Sequence, residues 1–157
     1  MKKIFLDTSV ISAYFDGRKP DRQVITQKWI QHDLNNYEAF VSNLVIEEIE
    51  NTSNGQLRDD MLDLIESNHL IVVDVDDEMR ALASRYRERA IPDEKNDSIH
   101  IATATCRGLE AVASWNFRHM VNLDTVTAIH LVNQENGYGI IEIVSLLQLG
   151  GDEYGTL

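Results

Sequence analysis

Three carboxylates interrupt apolar stretches of the chain. Asp7 follows the short run Ile4-Phe5-Leu6. Glu48 lies in Leu44-Val45-Ile46-Glu47-Glu48-Ile49, four residues after Leu44 and three after Val45, and so shares their face of a helix. Glu47 aligns instead with Asn43, Glu50 and Asn51 on the polar side. Asp97 opens Asp97-Ser98-Ile99-His100-Ile101-Ala102-Thr103-Ala104 and lines up with Ile101 and Ala104. A carboxylate on an apolar stripe is costly to bury unless it is paired or bound to a metal. An oxygen-only cluster gathered from three elements suits magnesium or manganese. Such ions activate water and stabilise in-line displacement at a phosphodiester. Each residue also has a plainer explanation. Asp7 can be a turn residue that caps a helix, Glu48 an edge glutamate that reaches water, and Asp97 a first-turn carboxylate held by the helix dipole. His100, on the side of Asp97, reads as a hydrogen-bonded core or rim residue rather than a ligand.

The elements that must position these groups alternate. Ile4 to Leu6 reads as a strand buried on both faces, as in the centre of a parallel sheet. A helix starts at Val10, with Thr8 or Ser9 as its N-cap. Gly17 to Asp21 is a loop, and Asp21 can cap a helix that runs to about Leu34. Ala39 to Val41 is a second strand, and Ser42 can cap the helix from Leu44 to about Glu50. Gln56 to Ser67 carries Leu57, Met61, Leu64 and Ile65 on one side of a helix. Leu70 to Val73 is a third strand. Asp76-Asp77 opens a helix with Met79, Leu82, Ala83, Tyr86 and Ala90 in register. Pro92-Asp93 is punctuation, with Asp93 capping a helix from Glu94 to Cys106 that Gly108 stops. Leu109 to Ser114 is a fourth strand, and Asn116 to Asn122 a loop. Val126 to Val132 fits strand or helix, and Ile140 to Val144 is a last strand. This alternation predicts an α/β chain with a central parallel sheet and helices on both faces. In open sheets of this kind ligands bind outside the carboxyl ends of the strands, where Asp7 stands.

Composition sets the outer limits. The chain of 157 residues reads as a single domain, 1–157, with room for a sizeable core. It shows no repeat, no low-complexity tract, no signal peptide and no run long enough to span a membrane. One cysteine, Cys106, and no metal-binding cysteine spacing fit a cytoplasmic protein. The net charge of −12 argues against holding nucleic acid by broad electrostatic attraction. Two divalent ions would move the balance from −12 only to −8, so metal binding alone does not explain the acidity. Asp59-Asp60, Asp76-Asp77-Glu78 and Asp152-Glu153 read as solvated. Arg80, Arg85, Arg87 and Arg89 cluster on one helix, with Arg107 and Arg118 elsewhere; an ordinary solvated face is the preferred reading of that cluster.

The sequence resembles the PIN-domain family, which includes the VapC toxins of toxin–antitoxin pairs. The resemblance spans about Lys3 to Val144. It rests on Phe5-Leu6-Asp7-Thr8-Ser9-Val10, on Ser42 with Glu48, on Asp97 to Ala104, and on Ser114-Trp115-Asn116-Phe117. It implies a three-layer α/β/α sandwich around a parallel sheet and metal-dependent cleavage of RNA. By position it makes Asp7, Glu48 and Asp97 the Mg2+ or Mn2+ site, with Asn116 as a polar catalytic neighbour and Ser114 orienting a carboxylate or water. Many members carry an acidic residue three positions after that Asn, where this chain has His119. The departure leaves open a site with one tightly held metal, a His119 that contacts phosphate or serves as general acid, a weakened nuclease, or a plain surface-loop histidine. The resemblance further implies a homodimer and an antitoxin partner, the latter small, with a basic or amphipathic segment.

Two other readings compete. A catalytically silent PIN-like binding module is favoured by His119 and by the acidity, and opposed by the intact Asp7, Glu48 and Asp97 set. A haloacid-dehalogenase-like phosphatase also begins with a strand-end Asp, but needs a second acid where Ser9 stands. No Gly-rich turn follows any predicted strand, which sets aside phosphate-loop and dinucleotide folds.

Overall fold

The computed structural model describes residues 1–89 and 94–150. The readings placed on Ala90, Pro92, Asp93 and Asp152-Glu153 lie outside the described residues. Five strands form the central layer: β1 (Lys2–Leu6), β2 (Tyr37–Ser42), β3 (Ile71–Val73), β4 (Ala111–Ala113) and β5 (Glu142–Val144). All pair in parallel, in the order β3-β2-β1-β4-β5. β1 is the middle strand, and Ile4, Phe5 and Leu6 are buried, as a continuous apolar run predicts. β4 is shorter than the expected Leu109 to Ser114. The ladder still reaches both ends of that stretch, with the Glu110 N–H donating to Lys3 O and the Ser114 N–H to Val144 O, each at 2.9 Å.

The helices are α1 (Thr8–Ala13), α2 (Pro20–Lys28), α3 (Asn43–Glu50), α4 (Gly55–Ser67), α5 (Asp77–Glu88), α6 (Lys95–Cys106), α7 (Leu123–Glu135) and α8 (Leu146–Leu149). The chain steps outward from β1 to β2 and β3, then returns across β1 to β4 and β5. Parallel crossovers are right-handed, so this reversal sends the early and late helices to opposite faces. Accordingly α1 packs with α2, α3 and α4, while α5 packs with α6 and α7. The result is the expected α/β/α sandwich. No described helix is long and apolar enough to cross a membrane.

Several local expectations need correction. Asp7 itself caps α1, accepting from the Val10 N–H, and Thr8 and Ser9 form the first turn. Their hydroxyls are committed to carboxylates and are not available to cap. The helix expected to start at an Asp21 cap starts at Pro20, whose missing N–H suits a first position, and Asp21 lies in its first turn. It does not run on as an α-helix to Leu34. A π turn (Trp29–Asp33) and a 3₁₀ turn (Leu34–Asn36) intervene, and they bury Trp29, Ile30 and Leu34. The segment around Val126 is helical, opened by an Asn122 side chain that accepts from the Thr125 N–H. Asp76 opens α5 as expected, its exposed side chain accepting from the Met79 N–H. The expected stop at Gly108 is present: at φ +67°, it lets the Leu109 N–H reach back to Ala104 O at 3.0 Å.

α6 carries Asp97 and is buried continuously from Ser98 to Thr105. Its small residues let it lie close to the sheet and to α5. A buried polar cluster fixes it laterally: the Tyr86 hydroxyl on α5 lies 3.2 Å from Thr105 Oγ1 and 2.5 Å from Asn133 Oδ1 on α7. Tyr86→Phe leaves these buried partners short of a donor, so it should destabilise the fold by about 1–3 kcal/mol in urea unfolding. An unchanged midpoint would show that the cluster does not anchor α6.

Candidate active site

The strand order reverses between β1 and β4, and the site forms at the carboxyl ends of these two strands. Asp7 leaves β1 with only 3% of its surface exposed, and its N–H donates to Ala113 O of β4 at 3.2 Å. Its carboxylate takes the Ser9 hydroxyl on Oδ1 at 2.5 Å and the Ser114 hydroxyl on Oδ2 at 2.7 Å. Ser9 Oγ in turn accepts from the Trp115 N–H, and Ser114 Oγ from the Asn116 N–H. The two serines therefore hold the acid and tie the exit of β1 to the exit of β4. Burial raises the carboxyl of Asp7 above its ordinary range, against the charge of His100 and the bonds from Ser9, Ser114 and the Val10 N–H.

Glu48 comes from α3, which Ser42 caps through the Val45 N–H. Glu48 is half-buried and Glu47 is exposed. Glu48 Oε1 accepts from Thr8 Oγ1 at 2.8 Å and lies 2.7 Å from Nε2 of His100. Burial pushes its carboxyl up. The hydrogen bond and charge of His100, with bonds from Thr8 and Asn96, outweigh that and leave it below the usual range. His100 is 1% exposed, packs against the Phe5 ring, and leaves Nδ1 buried with no partner among the described residues. It is thus the hydrogen-bonded core residue expected, with Glu48 as its partner.

Asp97, in the first turn of α6, accepts from Asn116 Nδ2 at 3.1 Å. Asn116 Oδ1 accepts the His119 N–H, so one side chain joins Asp97 to the turn after β4. The Asp97 carboxyl is raised to about 6, first by burial and then by the negative charge of Asp7, with Glu48 adding to it; His100 and His119 act in the opposite sense. Glu48, Asp97, Asn116 and His119 line one open hollow of about 420 Å³, together with Lys95 and Asn96.

The structure therefore brings all six residues singled out in the sequence to one sheet edge. Thr8 and Ser9, which the sequence suggested only as caps, hold Glu48 and Asp7. Their signal was a hydroxyl pair directly after a strand-end Asp. The arginines on α5 are largely occupied elsewhere. Arg85 bonds Asn136, Arg87 donates to Ser98 Oγ at 2.7 Å, and Arg89 pairs with Glu135 at 2.7 Å.

The donor chemistry fits a hard divalent cation, since the acids are carboxylates; burial and then the negative charge of Asp7 and Glu48 raise Asp97, and a cation would offset that charge. As the side chains lie, no group of three or more His, Cys, Asp or Glu among the described residues is in position to hold a metal ion. Glu48 Oε1 is held by Thr8 and His100 instead.

An open parallel sheet with acids at its switch point defines a class of α/β proteins with an edge-of-sheet site. The PIN domain family model matches residues 4–119, and the chain belongs to that family. No curated protein matches the sequence. Similar solved structures include Mycobacterium tuberculosis VapC20, a sarcin–ricin-loop-cleaving toxin. It has 15% identity and a TM-score of 0.60, with 74% of this chain and 92% of that chain covered. DNA-bound VapBC from Salmonella typhimurium has 17% identity and a TM-score of 0.54, with 93% and 99% covered. VapBC2 from Rickettsia felis, bound to a promoter DNA fragment, has 11% identity and a TM-score of 0.55, with 90% and 98% covered. At these identities the likeness is one of fold.

The raised carboxyl of Asp97 has a consequence for stability. It binds its proton more tightly folded than unfolded, so its contribution is full below about pH 4 and is lost as pH rises through about 6. Asp97→Asn should therefore be more stable than the wild type at pH 8, by roughly 1–2 kcal/mol once solvent screening is allowed for. The gap should close toward pH 4. A pH-independent difference in urea midpoints would contradict a carboxyl raised by burial and by its acidic neighbours.

Proposed function

We propose that this PIN-domain chain is a metal-dependent endoribonuclease and the toxin of a VapC-type toxin–antitoxin pair. The observation that carries this reading is the convergence of Asp7, Glu48 and Asp97, from three separate elements, on the switch point of the sheet. The similar folds add support. VapC20 is described as cleaving the sarcin–ricin loop, and the Salmonella and Rickettsia structures are toxin–antitoxin assemblies. A cytoplasmic location and a small antitoxin with a basic segment belong to the same reading. Homodimerisation is carried over from the family resemblance alone.

Asp7 and Asp97 would hold Mg2+ or Mn2+, with Glu48 reaching it directly or through water. When bound, the ion supplies positive charge at the phosphodiester and lowers the pKa of water beside it. The chain's own residues prepare the site. Ser9 and Ser114 fix both oxygens of Asp7. Asn116 orients Asp97 and ties it to the turn carrying His119. Thr8 and His100 hold Glu48 ionised. His119, on the rim of the hollow, offers a donor to a phosphate oxygen or a proton to the leaving oxygen. Attack of water at phosphorus displaces the 3′-oxygen and leaves a 5′-phosphate.

Two observations favour the silent binding module as a second reading. Glu48 Oε1 is already engaged, and His119 stands where many family members have an acid.

Calorimetry and RNA cleavage distinguish the two. The wild type should bind Mn2+ and cleave single-stranded RNA, and Asp7→Asn or Asp97→Asn should abolish cleavage while the fold persists. Expression of the wild type, but not of Asp97→Asn, should arrest bacterial growth. Failure of the wild type to bind Mn2+ would move the assignment to the binding module. Because a metal competes with the proton on Asp97, Mn2+ affinity should fall as pH is lowered through about 6. Ser114→Ala, which removes the support of Asp7 Oδ2, should lower metal affinity or activity by about 10–100-fold.

A further inference from the structure

Next to the carboxylates lies a second cleft, of about 550 Å³, lined by α1, α2 and the turn after β4. Ser9 and Asn116 line it too, so it is continuous with the site. Its charge is opposite to that of the hollow. Lys19, Arg22 and Arg118 line it, and none of them forms a salt bridge among the described residues. The acid in its wall, Asp16, is already paired with Arg18 at 2.9 Å. In a chain of net charge −12, three cations beside an acidic centre need a reason.

The cleft also holds an aromatic platform. The Arg22 guanidinium lies over the Trp115 ring at 5.5 Å and over the Phe117 ring at 5.4 Å. The two rings meet edge to face, 6.1 Å apart. Trp115 is fixed at both ends, its N–H donating to Ser9 Oγ and its indole Nε1–H to Thr26 Oγ1, each at 2.9 Å. It is 4% exposed, whereas Phe117 is 42% exposed. A ring so open adds little to the core. Propped on a rigid base, with Lys19 and Arg118 in the same cleft, it presents a stacking surface beside positive charge. Single-stranded nucleic acid is held by this combination.

We infer that this cleft is the nucleotide subsite of the site: the base next to the scissile phosphodiester stacks on Phe117, Arg22 stiffens the platform, and Lys19 and Arg118 take the flanking phosphate. The inference rests on the RNA-cleavage reading above and adds where the substrate is held and by which residues. It also reconciles an acidic chain with a polyanionic substrate, because attraction is confined to one cleft and the base supplies a term that does not depend on charge.

The test separates binding from cleavage. A short fluorescein-labelled single-stranded RNA is titrated by anisotropy in EDTA against the wild type, Phe117→Ala, Phe117→Tyr and Arg118→Ala, with Arg80→Ala on α5 as the control outside the cleft. Phe117→Ala should raise Kd by about 10-fold and Phe117→Tyr should restore it. Arg118→Ala should reduce the slope of log Kd against log salt by about 0.7. Arg80→Ala should change neither. Mn2+ affinity by calorimetry should be the same in Phe117→Ala as in the wild type. A wild type that binds this RNA with affinity indifferent to Phe117 and Arg118 would overturn the subsite, as would a wild type that binds no RNA. Phe117-dependent binding without any Mn2+-dependent cleavage would leave the subsite standing and remove the nuclease reading instead.

Discussion

A buried carboxylate at the end of the central strand sets the terms for everything around it. Asp7 lies beneath the surface between the exits of β1 and β4, where burial opposes its ionisation. Two hydroxyls, from Ser9 and Ser114, keep it hydrogen-bonded there. These serines also accept the N–H groups of Trp115 and Asn116, so satisfying one acid fixes the turn that carries Asn116, Phe117 and His119. The cap of α1 is made by the same side chain. One side chain therefore helps set a strand exit, a helix start and a loop at once.

The second constraint is that like charges have been brought together. Burial, and then the charges of Asp7 and Glu48, raise the carboxyl of Asp97, while Glu48 is kept low by His100 and Thr8. The three acids are thus unequal. One is buried and braced, one is paired with a histidine, and one is left high and responsive to whatever enters the hollow. Such differences in environment let similar side chains take different roles. As the side chains lie, no three of the described His, Cys, Asp or Glu residues are in position to hold a metal ion.

The overall acidity of the chain is compatible with a nucleic-acid substrate once charge is considered by location. Arg85, Arg87 and Arg89 join α5 to α6 and to the end of α7, whereas Lys19, Arg22 and Arg118 line the cleft beside the site, around an aromatic stack. Net charge governs long-range attraction, whereas a cleft of this kind acts at contact distance, where stacking and paired phosphates matter more.

Much of this architecture was legible in the linear chain. The buried run Ile4 to Leu6 announced a central parallel strand because such a strand has no solvent face to mark with polar residues. The i, i+3, i+4 spacing about Glu48 and Asp97 placed both acids on apolar faces, since helical periodicity is local. Gly108 stopped α6 for the same local reason. Other features depended on contacts between residues far apart. The roles of Thr8 and Ser9 turned on partners in α3, β1 and the turn after β4, so their capping preference lost to stronger acceptors. The end of α2 was decided by how Trp29 and Ile30 enter the core. The arginine row of α5 is largely solvent-exposed as its local pattern suggested, but that Arg85 and Arg89 reach Asn136 and Glu135 depended on α7 lying within reach. The platform of Arg22, Trp115 and Phe117 joins residues about ninety positions apart. Local pattern determined which residues were out of place, and only tertiary packing decided which of them meet, because hydrogen bonds and ring contacts act over a few ångströms in space whatever their separation along the chain.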